Sequence, residues 1–213
     1  MRAYQAESVR TCVPVIGMNN CVMLFSLFQR GLLLFALLLA AGCSTMSGSS
    51  RTASAPVPAD VREAFAAAMQ AIDAQDFTRA EEILSSVIAK SQHNPVPHIN
   101  LAIVQVRLGK LAEAEETFKL ALAIEPMNPV ANNELGLLYR RTGRFEEART
   151  VYEGILAKYP NYPAANKNLG ILCDLYLRDY ACAYSAYETY ARVAPEDENA
   201  RIWLADVERR IGQ

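Results

Sequence analysis

Five cysteines, two histidines and several pairs of adjacent acids are the side chains of this sequence with chemistry to offer. A thiol can be acylated, oxidised to a disulfide or used as a soft metal ligand. Cys12, Cys21 and Cys43 stand in or beside an apolar N-terminal stretch, whereas Cys173 and Cys182 lie far downstream. His93 and His98 fall within "SQHNPVPHIN", with no acid or thiol nearby to complete a ligand set. No metal centre and no cofactor is therefore expected. Glu115-Glu116 and Glu146-Glu147 sit among apolar residues at helical spacing, where paired acids form a solvated face. The tyrosines of "LYLRDYACAYSAYETY" recur at the same spacing and read as packing. No nucleophile motif, phosphate-binding glycine loop or His-Asp-Ser set is present. No catalytic residue is assigned, and the chain is not read as an enzyme.

The elements that would position these groups follow from how the apolar residues are distributed. The 213 residues are 52% hydrophobic and carry a net charge of -2. Nucleic acid, which calls for a strongly basic face, is not an expected partner. Gly31 to Ala41 reads "GLLLFALLLAA", shorter than the roughly 20 residues that span a bilayer. Arg30 precedes it and small residues follow, the order of a secretory signal. Ala40, Ala41 and Gly42 before Cys43 resemble the cleavage box of a bacterial lipoprotein, although the usual leucine three places before the cysteine is here Ala40. The resemblance implies that residues 1–42 are a signal peptide, with Met18 or Met23 as alternative starts. It also implies that Cys43 carries the lipid, a diacylglycerol thioether with fatty chains such as palmitate. Ser44 is not the Asp that commonly retains such proteins at the inner membrane, so outer-membrane anchoring facing the periplasm is expected. A free or disulfide-bonded Cys43 after an ordinary signal peptide is the alternative. Residues 43–59, "CSTMSGSSRTASAPVPA", have too little apolar bulk to fold and read as a lipidated tether.

Beyond the tether the chain repeats. Residues 94–127 and 128–161 align at an offset of 34, with Leu101 and Leu135, Gly109 and Gly143, Ala114 and Ala148, and Pro126 and Pro160 in register. Glycine suits a left-handed residue at a helix end, and alanine suits a close helix crossing. Phe145, Ala148, Tyr152, Ile155 and Leu156 form one apolar stripe of a helix. A divergent unit occupies 60–93, with Gln75 where the others have glycine. A fourth occupies 162–196, its second helix displaced by one inserted residue near Tyr176 to Arg178. Residues 199–211 read as a capping helix. This pattern resembles the tetratricopeptide repeat over residues 60–211.

That resemblance implies an all-α, right-handed solenoid of four helix-turn-helix units plus a C-terminal cap. Its inner groove would be lined by the first helix of each unit. By register the groove carries Phe65, Met69 and Ile72, then Ile99, Ile103 and Val106. Asn133, Leu137 and Arg140 follow, then Lys167, Ile171 and Asp174. Packing between repeats is the alternative for each of these residues. Ile99 and Ile103 replace the Lys and Asn of the family's peptide-carboxylate clamp, so a chaperone-tail clamp is not expected. The expected partner is a protein, offering a peptide or a helix to the groove, with the lipid supplying membrane attachment. On the antiparallel helices so implied, Cys173 and Cys182 flank the fourth turn. A disulfide between them and two separate small core residues are both open. Lipoproteins that assist type IV or tight-adherence pili and secretins are the nearest functional analogy. An adaptor that regulates peptidoglycan-remodelling enzymes is the second.

Overall fold

Proline opens the first helix of each of the last three hairpins. In the computed structural model, which describes residues 57–212, Pro95, Pro129 and Pro163 each occupy the first turn of a helix, where their missing N–H costs nothing. Asn94 and Asn128 accept from the N–H groups of Val96 and Ala131, and Asp76 and Asp179 do the same for Arg79 and Cys182. The helices are α1 (Ala59–Asp73), α2 (Phe77–Lys90), α3 (Pro95–Arg107), α4 (Leu111–Ile124), α5 (Pro129–Arg141), α6 (Phe145–Lys158), α7 (Pro163–Ile171), α8 (Tyr180–Val193) and α9 (Glu198–Ile211). Among the described residues there is no strand. The expected signal peptide, Cys43 and most of the tether lie outside those residues.

Each hairpin turns on one residue with positive φ: Gln75 at 59°, Gly109 at 79°, Gly143 at 78° and Arg178 at 55°. Glycine holds this conformation without the Cβ penalty, which the first and last hairpins bear. The residue inserted in the fourth unit is absorbed by a π-helical turn, Leu172–Leu177, which continues α7 and ends at Arg178. A π turn is the local answer to one residue too many in a helix.

The hairpins stack through a buried layer of alanines. Ala80, Ala114, Ala148 and Ala183, at equivalent places in the four second helices, are all fully buried. Side-chain volume is balanced across each hairpin. Ala68 and Ala102 are buried opposite Leu84 and Phe118, whereas Gly136 and Gly170 take their places opposite Tyr152 and Tyr187. A Cβ added to Gly136 would sit 2.5 Å from the Tyr152 ring. Ion pairs recur with the same period: Lys110 holds Glu81 at 2.7 Å and Arg144 holds Glu115 at 2.8 Å, each joining consecutive units. With their basic partners exposed, such pairs contribute to register more than to stability. The cap α9 packs on α8 through Trp203, 5.5 Å from the Tyr187 ring, and reaches the π turn through Arg210, 2.5 Å from the buried Asp174 carboxylate.

Candidate partner-binding groove

The first helices define one side of the stack. Helix α3 touches α5 and α5 touches α7, with no comparable contact among α2, α4, α6 and α8. The side where the first helices meet is therefore the inner one. Phe65, Met69 and Ile72 are half-buried on α1, and Ile103, Val106, Leu137 and Arg140 are half-buried on α3 and α5. These side chains present part of their surface on the inner side.

Four expected groove residues are committed elsewhere. Ile99 is 5% exposed and belongs to the continuous core, because it lies where α3 meets α5. Asn133 is also 5% exposed, and its Oδ1 accepts from Asn168 Nδ2 at 2.9 Å, an amide link between the third and fourth units. Lys167 donates to Asp197 at 3.1 Å and lies 5.2 Å from the Trp203 ring, so its charge serves the junction with the cap. Asp174 is buried against Arg210, and burial pushes its carboxyl above the ordinary range. Ile171 is partly buried against the core. The C-terminal end of the groove is thus closed largely by internal contacts, and its open part lies on α3 and α5.

There Ile103, Val106, Leu137 and Leu138 floor a cleft of about 160 Å³, with Arg107, Glu134 and Arg141 at its rim. Arg141 Nη1 reaches 3.4 Å from the Val106 carbonyl and so bridges the two helices. Asn133 Nδ2 donates to Glu134 at 3.3 Å, and burial raises the pKa of that acid. Arg107, Glu134, Leu138 and Arg141 were not among the sequence candidates. The signal for the arginines is their recurrence at the repeat period, 107 to 141. Arg140 lies beside them with its guanidinium 6.0 Å from the Tyr176 ring and its Nη1 buried without an acceptor.

The remaining chemical candidates have structural partners. His98 is buried, and its Nδ1 lies 3.0 Å from the Asn94 carbonyl. Asn132 and Asn166, each one repeat further on, donate to the carbonyls of Asn128 and Tyr162 in the same way. His98 thus takes the place of a capping amide. Among the described residues no group of acids, cysteines and histidines is arranged for a metal ion. Cys173 and Cys182 flank the fourth turn with Cα atoms 5.9 Å apart and their sulfurs joined. That separation is within the bridging range.

The Asp197 cluster carries a pH dependence. The Tyr190 hydroxyl, 2.7 Å away, and Lys167 hold the Asp197 carboxyl down at about 2, against an ordinary 3.8. A depressed folded pKa stabilises above the unfolded value, and the gain is lost as pH falls through the folded one. The wild type should therefore lose melting temperature more steeply than Tyr190→Phe between about pH 4 and pH 2. Thermal melts by circular dichroism check this, and parallel acid limbs would show that the hydroxyl does not hold the acid down.

Comparison with known proteins names the architecture. Residues 71–132 and 109–172 match the tetratricopeptide repeat family. The fold is a tetratricopeptide-repeat solenoid. No curated protein matches the chain at a significant level. Among solved structures, a tetratricopeptide repeat protein from Parabacteroides merdae is 26% identical with a TM-score of 0.63, over 71% of this chain. The match spans only 60% of that protein's length. MamA from Desulfovibrio magneticus is 17% identical with a TM-score of 0.63, over 73% of this chain and 87% of its own. The pilF protein of Pseudomonas aeruginosa is 20% identical with a TM-score of 0.64, over 70% and 68%. At these last two identities the likeness is one of fold alone. Tetratricopeptide repeats are scaffolds for protein–protein interaction, the coarse function that this solenoid supports.

Proposed function

We propose that this protein is an adaptor anchored through acylated Cys43 to the periplasmic face of the outer membrane. The tetratricopeptide domain captures a segment of an envelope protein and assists assembly of a machine such as a type IV pilus, tight-adherence pilus or secretin. The observation that carries the reading is the half-buried apolar row on α3 and α5, open on the inner side of the stack. Partly exposed apolar surface rimmed by charge is what a protein ligand covers. The apolar run before Cys43 supports the anchor, and the fold shared with pilF is compatible with the pilus context. Binding carries this role, with no catalytic step assigned. Tethering would raise the local concentration of the groove near membrane-bound partners, so modest affinity suffices.

Two readings test the proposal in one strain. The mature protein should begin at an acylated Cys43 by mass spectrometry and fractionate with the outer membrane, and Cys43→Ser should leave the membrane fraction. Ile103→Glu with Leu137→Glu should abolish capture of the crosslinked envelope partner while helical circular dichroism is retained. Ile99 is unsuitable for this purpose, because a buried charge there would unfold the stack. An unacylated mature N-terminus defeats the anchor, and undiminished capture by the double variant defeats the groove.

A further inference from the structure

The cleft between α3 and α5 carries more specific information than an apolar groove would. Its floor is aliphatic throughout, and at about 160 Å³ it is comparable with the cavity of about 150 Å³ that holds one benzene ring. One large aliphatic side chain would fill it. Its rim is electrically lopsided. Arg107 and Arg141 stand where α3 and α5 end, and Arg140 lies next to Arg141. Among the described residues none of these three arginines takes part in an ion pair, although other arginines and lysines do. The acid of the cleft, Glu134, lies nearly two turns earlier on α5, is bonded by Asn133, and is half-buried. The charge left open at the helix ends is therefore positive, beside a seat for one apolar side chain.

We propose that this cleft is the docking subsite for an acidic segment of a partner protein, which seats one aliphatic side chain on Ile103, Val106, Leu137 and Leu138 and pairs its carboxylates with Arg107 and Arg141. The inference rests on the adaptor reading and assigns the chemistry of its ligand. Charge complementarity commits the occupant: a basic segment would meet the guanidinium groups of Arg107 and Arg141, neither of them in an ion pair, and like charges brought together at an interface oppose binding. Glu134 lies within reach of the Arg107 charge and offsets part of it, so the excess positive charge of the rim is centred on Arg141. Arg141 already reaches across the cleft to the Val106 carbonyl, 3.4 Å away.

The test uses the full chain in detergent micelles and fluorescence anisotropy with labelled synthetic peptides. One peptide carries a leucine pair followed by a run of glutamates, a second has lysines for the glutamates, and a third has serines for the leucines. The first should bind, and weaken with added salt, whereas the other two should bind at least about tenfold less tightly. Arg107→Glu with Arg141→Glu should lower affinity for the glutamate peptide by about tenfold and raise it for the lysine peptide. Both arginines are exposed, and circular dichroism establishes that the variant is folded. Equal binding of glutamate and lysine peptides, or an unchanged response in the reversed variant, overturns the proposal. If that happens while Ile103→Glu with Leu137→Glu still loses the envelope partner, the acidic chemistry is wrong and the adaptor groove stands. If the partner is captured by that variant too, the groove itself is wrong.

Discussion

Replacing Cys173 and Cys182 together by alanine is expected to cost about 2–3 kcal/mol, and the loss should appear first in the fourth repeat and the cap. The two residues are nine apart in sequence, so their bond closes a short loop and removes that loop's freedom from the unfolded chain. The bond also secures the one hairpin with irregular geometry. It joins the π turn to the start of α8, where the Cys173 carbonyl accepts from the Asp179 N–H at 2.9 Å and the Asp179 side chain caps the helix. Because each unit of a solenoid is stabilised chiefly by its neighbours, this end should melt ahead of the rest. Thermal melts by circular dichroism check the effect. The main transition should fall by roughly 5–10 °C, or an earlier one should separate from it, and reductant should bring the wild type onto the curve of the variant. Peptide mapping of non-reduced protein from the periplasm should recover Cys173 linked to Cys182. Two free thiols in that map, or identical melts, would remove the bond from the account of this repeat.

Gly136→Ala should destabilise by up to about 2 kcal/mol, although alanine is the better helix former by roughly 1 kcal/mol. The new methyl group would lie 2.5 Å from the ring of Tyr152, a fully buried side chain with no space to retreat into. Overpacking of this kind costs typically 1–3 kcal/mol, about enough to outweigh the gain in propensity. The first repeat supplies a natural control, since there the same pair is Ala68 with Leu84. Tyr152→Leu alone should leave a cavity, and Gly136→Ala in that background should be stabilising. Urea unfolding of the four proteins yields the coupling, expected at about 1 kcal/mol or more. A stabilising effect of Gly136→Ala in the wild-type background would mean that the ring yields without cost.

The partition between legible and hidden features follows the range of the forces involved. Hairpin register was legible because glycine at a left-handed turn, proline at a helix start and alanine at a crossing are local requirements, and each recurs with the repeat. The inserted residue near Tyr176 was visible as a slip of register, but its form, a π turn ending at Arg178, depends on how α7 must still meet α8. The capping role of His98 was legible in principle, since Asn132 and Asn166 hold the same place in later units. Its residue type drew attention to metal chemistry instead.

By itself, the sequence determined that this chain builds an all-α stack of tetratricopeptide hairpins, because a helix end or a close crossing constrains the residues that form it. It also carries the apolar run and cysteine on which the proposed anchor rests. Only the tertiary structure decided which faces of the first helices remain open. The repeat register places Ile99, Asn133, Lys167 and Leu137 on the same side of their helices, but whether each meets solvent depends on the distance to the next helix and on what that helix carries. Asn168, Asp197 and Trp203 occupy Asn133 and Lys167, and the α3–α5 crossing buries Ile99. The cleft at Ile103 and Leu137, with its unpaired arginines, is what those contacts leave open.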